Sequence, residues 1–321
     1  MRILRIIIAV LILSLACSGK KSVTGPGAPV VFTVSPVDYH AIALATPLGN
    51  LNPPGHTFPS NHMGFYLHGD TPCLVKAHAG GTVTQVYYNA GFDDYAIQFK
   101  HSNTFHSYLD HVEKPLARIR VGARVEAGDS VGQATSYLDL GVIDYDTTRS
   151  FIVPGRYHVN SIHCGDAYLY FCEEVRRNLL AKNRRSVEPR GGKIDFDREG
   201  TLAGNWFLEG TPVTWEASSY LYGDAQIAFV YDMWEPDKIR IVCGGGWTGA
   251  PFCDLVDGNR PDPAAVTPTS GFIKYQSSHG GSSHVTAVQL LENRKLKVEI
   301  FAHKTAAAVS GFTAQARIYV R

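Results

Sequence analysis

Seven histidines, His56, His62, His68, His78, His101, His106 and His111, fall between residues 56 and 111 of this chain. Imidazoles gathered in this way, with Asp139 further along, could converge on a metal ion. A hydrolytic metal site needs neutral imidazoles or carboxylates as ligands and one position left open for water. The competing reading is that such histidines simply pack or stand on the surface. No H-E-x-x-H is present, which excludes the helix-borne zinc site of that kind. Two other motif matches fail on context. Gly128-Asp129-Ser130-Val131-Gly132 fits G-x-S-x-G, but a turn precedes the serine and strand follows it, whereas a nucleophile elbow needs strand then helix. Gly244, Gly246 and Gly249 fit G-x-G-x-x-G, but Ala250-Pro251 follows where a phosphate-cradling loop needs a helix.

The elements that must position these side chains are short strands. Gly81 to Val86 and Tyr95 to Lys100 alternate with period two, and Gly91-Phe92-Asp93-Asp94 reads as the turn between them. Arg118 to Arg124 and Ser130 to Ala134 continue the series, giving an antiparallel sandwich or barrel over residues 36–150. One helix is predicted next, in a connector spanning residues 151–190. It is capped by Asp166, with Tyr168, Phe171 or Cys172, Val175 and Leu179 on one face. Its C-terminal arginines and lysine complement the helix dipole. Pro189 and Gly191-Gly192 mark a boundary, and residues 191–321 read as a second β-rich domain. There Ala225 to Tyr231 is a strand, Val285 to Leu291 and Leu296 to Phe301 form a hairpin, and Gly311 to Val320 ends the chain as strand.

The N-terminus sets an address. Arg2 and Arg5 precede an apolar run from Ile6 to Leu15, which is too short for a spanning helix and reads as a processed signal over residues 1–16. Ala16 before Cys17 resembles a bacterial lipobox, which implies lipid on the Cys17 sulfur and a membrane-tethered protein of the bacterial envelope. Residues 17–35, rich in glycine, proline and small polar residues, read as a flexible tether. The net charge of +1 leaves no electrostatic footprint for nucleic acid. In an oxidising compartment Cys243 and Cys253, which bracket a glycine-rich loop, are the expected disulfide.

Two segments carry a family resemblance. Val75-Lys76-Ala77-His78-Ala79-Gly80-Gly81-Thr82-Val83 resembles the V-x-A-P-A-D-G-x-V strand and turn of the M23 (lysostaphin and LytM-like) zinc endopeptidases of the cell wall. Val121 to Gly132 resembles that family's V-K-x-G-Q-x-V-x-A-G-Q-x-I-G run, with glycines where turns need φ > 0. Biotinyl and lipoyl carrier domains share this turn grammar, but no lysine-tipped hairpin is present here. The resemblance implies a mainly β domain of the duplicated hybrid motif type, followed by the helix and the second β domain.

The site motifs depart from the family. Its H-x-G-x-D matches His62-Met63-Gly64-Phe65-Tyr66, with Tyr66 in place of the aspartate. Its H-x-H-F matches Tyr137-Leu138-Asp139-Leu140, with Tyr137 at the catalytic histidine and Asp139 at the third ligand. Its Y-x-H matches Tyr108-Leu109-Asp110-His111 only with one residue inserted, which leaves His111 as the candidate catalytic histidine. A neutral phenol is a poor zinc ligand. Two readings follow. In the first there is no cofactor, and Tyr66, Tyr108 and Tyr137 line a cleft suited to a glycan or peptide stem of peptidoglycan, or to another envelope protein. In the second, zinc binds a rearranged set of His62 and Asp139 with His56 or His111. Gly204-Asn205-Trp206 resembles the opening of lipocalin-like barrels, but a buried tryptophan at a strand start is the commoner reason for such a tripeptide.

Overall fold

The period-two alternation places its apolar residues on one side of a seven-stranded antiparallel sheet. The computed structural model describes residues 29–53, 55–69, 71–214, 225–245, 251–258, 260–279 and 282–321. The signal segment, Cys17 and Gly246 and Gly249 of the glycine motif lie outside the described residues. The first sheet contains β1 (Ile42–Thr46), β2 (His62–Leu67), β4 (Gly81–Asn89), β5 (Asp94–Lys100), β6 (Phe105–Val112), β7 (Arg124–Val125) and β9 (Tyr137–Asp144). Its order is β1-β2-β9-β6-β5-β4-β7, while β3 (Cys73–Lys76) and β8 (Ser130–Ala134) pair as a separate ribbon. Met63, Phe65, Ile97, Phe99, Leu109, Leu138 and Leu140 fill the core under this sheet. Gly122 and Gly128, at φ of +86° and +93°, turn the chain where the sequence requires left-handed backbone.

Four sequence expectations change. Residues 118–124 form turns, with strand only at Arg124–Val125; the Gly122 turn leaves Val121 67% exposed, so the segment has no sheet to join. The single helix is broken into α2 (Ala167–Tyr170) and α3 (Glu173–Leu180), following a short α1 (Val159–Ile162). Phe171 is extended at ψ 141° because its neighbours bond Phe32: the Phe32 N–H donates to Tyr170 O and the Cys172 N–H donates to Phe32 O. Asp166 does cap α2, accepting from the Tyr168 N–H. Phe32 itself is fully buried, so packed structure begins inside the segment read as tether. The last strand is only Arg317–Val320, because Thr313 leaves the strand path to donate to the Glu299 carboxylate.

The second sheet is a consecutive meander of eight strands: β10 (Gly204–Leu208), β11 (Gln226–Tyr231), β12 (Ile239–Cys243), β13 (Phe252–Leu255), β14 (Ile273–His279), β15 (Ser282–Glu292), β16 (Lys295–Ala302) and β17 (Arg317–Val320). β10 pairs with β17, and a Val256–Ser277 bridge draws β13 toward β14, so the sheet is almost a closed barrel. Trp206 is fully buried at the strand start. Its indole N–H donates to Leu202 O, and the Arg321 guanidinium lies 3.9 Å above its ring. Arg321 also donates to the carbonyls of Arg198, Thr201, Leu202, Ala203 and Asn205, tying the last residue to the barrel entrance.

The expected Cys243–Cys253 disulfide does not form. β12 and β13 pair Cys243 with Phe252 and Val242 with Cys253, an offset of one residue. Side chains one register step apart point to opposite faces of a sheet. Cys243 accordingly packs inside the barrel and Cys253 outside it.

The two β units share a junction of Leu48, Phe58, Phe151, Tyr157, Ile194 and Phe207. The connector is not a free linker: Tyr168, Phe171, Val175 and Leu179 complete the core of the first sheet. No helix among the described residues is long and apolar enough to cross a membrane.

Several of the clustered histidines are core residues. Ser107 bonds the Nε2 atoms of both His78 and His101 at 2.7 Å, and His101 Nδ1 lies 2.7 Å from Gly80 O. The Gly80 carbonyl takes the His101 Nδ1–H, so His101 Nε2 accepts from the Ser107 hydroxyl, whose oxygen accepts from His78 Nε2–H. That leaves His78 Nδ1 bare, buried and without a partner. Burial holds His78 well below its ordinary pKa and lowers His101 to about 4. Between pH 6.5 and about 4 the unfolded chain therefore binds more protons than the folded one, and stability falls as pH falls. Each histidine contributes at most about 1.4 kcal/mol per pH unit in that window. Denaturant titrations should show a lower midpoint at pH 5 than at pH 7; an unchanged midpoint would contradict the buried neutral pair.

Candidate functional site

Strand register assembles the site. β2 and β9 pair His62 with Gly141, Gly64 with Asp139 and Tyr66 with Tyr137. β9 and β6 pair Gly141 with Tyr108 and Asp139 with Asp110. Directly paired residues share a face, so His62, Tyr66, Tyr108, Asp110, Tyr137 and Asp139 all project from one side of the sheet. Alternation alone would turn His111 into the core. However, β5 advances two residues, from Tyr95 to Ile97, while β6 spends three between Leu109 and Val112. The extra residue is a bulge, with His111 in left-handed backbone at φ +66°. The inserted residue seen in the sequence is thus absorbed, and His111 joins the site.

At the centre stands Asp139, only 2% exposed. Its Oδ2 lies 3.2 Å from His62 Nε2 and 3.6 Å from His111 Nε2. His111 is held from its other side, with Nδ1 2.6 Å from Asp94 Oδ2. The His56 ring packs edge-on to His62 at 5.0 Å between centroids. His62, His111, Asp139 and His56 are therefore neighbours in the fold. His62 Nε2 and Asp139 Oδ1 are buried without a hydrogen-bond partner.

Burial dominates the electrostatics. It lowers His62 and His56 to about 4, so both are neutral, and it raises Asp139 to about 7. For His111, burial opposes the charge, but the Asp94 bond and the carboxylates of Asp139 and Asp110 outweigh it and raise its pKa. His111 is thus the imidazole of the site in which the protonated form is favoured rather than opposed.

The tyrosines occupy the rest of the face. Tyr66, 42% exposed, packs against Tyr137 at 4.7 Å between ring centroids. Tyr137 lies across Gly64, where a Cβ would meet its hydroxyl at 2.2 Å, and burial raises its pKa far above the ordinary value. The Tyr108 ring covers Gly141 in the same manner, and its hydroxyl donates to Asn61 Oδ1 at 3.0 Å. A groove of about 370 Å³ runs beside them, lined by Gln85, Tyr87, Gln98, Tyr108, Asn61 and His62.

Sequence reading missed Asp94, Asp110 and Asn61. Asp94 was legible only as part of a turn, and its role depends on the bulge that brings His111 to it. Asp94, Asp110 and His111 hold ligand-type atoms within 4.8 Å of one another, a grouping of the kind that can hold a cation.

Residues 60–139 match the model of peptidase family M23, so the segment that builds this site is an M23-type domain. None of the curated proteins matches the chain. Among solved structures, similarity is found to Helicobacter pylori Csd3, with 18% identity, 36% of this chain, 31% of that chain and a TM-score of 0.30. A putative peptidase M23 from Pseudomonas aeruginosa aligns with 22% identity over 38% of this chain and 49% of that one, at a TM-score of 0.26. The catalytic domain of lysostaphin from Staphylococcus simulans aligns with 17% identity over 32% of this chain and 80% of that one, at a TM-score of 0.26. The alignment thus spans about a third of the Csd3 chain.

The family is a zinc-dependent one, and its three ligand positions fall on His62, Tyr66 and Asp139. Tyr66 is a half-exposed neutral phenol that packs on Tyr137, so this trio does not fit zinc. The imidazoles of His62 and His111 instead approach Asp139 Oδ2, at 3.2 and 3.6 Å. Replacing Asp94 removes the bond that fixes His111. Asp94→Asn should lower the His111 titration midpoint, because the bond and the charge that raise it are weakened, measured by NMR of the imidazole; an unmoved midpoint would show that Asp94 does not set its charge.

Proposed function

We propose that this chain is an exported envelope protein, lipid-anchored at Cys17, whose M23-type domain binds peptidoglycan without hydrolysing it. One observation carries the reading: phenols stand at two positions that hydrolysis in this family requires. Tyr66 replaces a ligand, and Tyr137 replaces the histidine that would move a proton. The Tyr137 phenol, whose pKa burial drives far upward, does not accept a proton from water, and a neutral phenol at the Tyr66 position is a poor zinc ligand. In the groove, the rings of Tyr108 and Tyr87, with the amides of Gln85 and Gln98 beside them, suit a glycan or peptide stem. Rings offer stacking surface, and amides offer both donors and acceptors.

A second reading has its own observation. A divalent cation held by His62 and Asp139 with His111 is supported by the approach of each imidazole Nε2 to Asp139 Oδ2, at 3.2 and 3.6 Å, with Asp94 bonding the far nitrogen of His111 as an outer-sphere partner would. A cation held there would supply Lewis acidity to whatever lies in the groove.

Two measurements on the purified chain separate these readings. Under the binding reading, the protein co-sediments with isolated sacculi, and Tyr66→Ala together with Tyr108→Ala weakens retention roughly tenfold, as the loss of one or two stacking contacts would. Elemental analysis then finds zinc well below one per chain. Stoichiometric zinc that is lost in His62→Ala or Asp139→Ala would overturn it in favour of the cation site, and no retention on sacculi would remove the peptidoglycan assignment.

A further inference from the structure

Between the two β units lies a second pocket, of about 160 Å³, which borders the site above at His56 and Asn61. Its lining includes Arg156, Asn205, Gln226, Tyr157 and His158. Arg156 is only 5% exposed, and its hydrogen bonding is limited to one long contact, 3.5 Å to Thr211 Oγ1. Its guanidinium otherwise lies 4.4 Å over the Phe207 ring. No carboxylate among the described residues pairs with it. The other buried arginines differ: Arg185 donates to the carbonyls of Pro189 and Met233, and Arg321 donates to five carbonyls. A buried charge is retained at a cost of several kcal/mol unless it is paired.

The pocket holds two further unsatisfied groups. Asn205 and Gln226 are 2% and 5% exposed, and Asn205 Oδ1 and Gln226 Oε1 have no partner. Both side chains leave the outer face of the barrel and line this pocket. It thus presents one guanidinium for an anion and two amide oxygens for N–H donors. A carboxylate with a peptide N–H on the same residue meets both demands. The pocket shares Asn61 and His158 with the groove on the M23-type face, so a chain lying in that groove can reach it.

We propose that the interdomain pocket seats the carboxylate-bearing end of a peptide, with Arg156 pairing the carboxylate and Asn205 and Gln226 accepting from the adjoining N–H groups. This rests on the reading of the groove as a peptidoglycan-binding surface, and it makes the barrel part of the ligand site. Bidentate pairing with guanidinium is what distinguishes a free carboxylate from its amide.

The probe is a set of muropeptides released from sacculi by muramidase, used as free acids and after carbodiimide amidation. Calorimetric titration of the full chain should favour the acids at least tenfold. Arg156→Gln should abolish that preference, Arg156→Lys should keep part of it, and Asn205→Leu should weaken both forms. Because Arg156→Gln removes an unpaired buried charge, its melting temperature should equal or exceed that of the wild type, separating lost binding from lost folding. Equal affinity for acid and amide, or an unchanged Arg156→Gln, would overturn the inference. So would displacement of the muropeptide by sub-millimolar inorganic phosphate, which would make the pocket a phosphate site. If sacculi are still retained while the acid preference is absent, the pocket inference alone fails. If sacculi are not retained at all, the groove reading fails with it.

Discussion

Asp139 is a carboxylate almost without access to water, and the arrangement of the first domain follows from what such a group requires. A buried carboxylate either takes up a proton or finds positive charge and hydrogen-bond donors. Burial pushes Asp139 up to about 7, and His111 opposes that shift from 3.6 Å away. His111 can act there only because a bulge in β6 turns it from the core face to the site face, and because Asp94 grips its far nitrogen. His62, on the opposite side of Asp139, is held neutral. Bulge, turn and paired strands therefore converge on one carboxyl group, in a place where the family positions a histidine.

The exchange of residues is coherent rather than piecemeal. Gly64 and Gly141 leave room for the Tyr137 and Tyr108 rings to lie flat on the sheet, and a side chain at either glycine would collide with a ring. Tyr66 then packs on Tyr137, while Tyr108 alone of the three tyrosines lines the groove. Aromatic surface thus stands where ligand and proton carrier would be, while the strand frame beneath is kept by a core of Met63, Phe65, Leu138 and Leu140. The barrel completes the molecule through the Leu48–Phe151–Tyr157–Phe207 junction. The Arg321 contact with Trp206 fixes the barrel entrance beside that junction.

Much of this was legible in the sequence, because strand alternation and glycine turns are local. β4, β5, β8 and the β15–β16 hairpin follow from period-two patterns, and the M23 frame from the turns around Gly122 and Gly128. The misreadings share one cause, which is contact between residues distant in sequence. Phe32 breaks the helix at Phe171, and no helical periodicity records that. The offset between β12 and β13 separates Cys243 from Cys253, although their spacing invites a disulfide. The approach of His56 to His62 was open in the sequence and is settled by the fold at 5.0 Å. Asp94 and the unpaired Arg156 were invisible, since both acquire meaning only from neighbours supplied by other strands or by the other domain.

The central claim is that Tyr66 and Tyr137 have replaced hydrolysis with binding at an M23-type site. Release of dye from covalently labelled sacculi tests it most directly, with the purified chain assayed alone, with added zinc and with a chelator. The account predicts retention of the protein on the sacculi and no dye release above the protein-free rate under any of the three conditions. Dye release that rises with zinc and disappears with the chelator would contradict it.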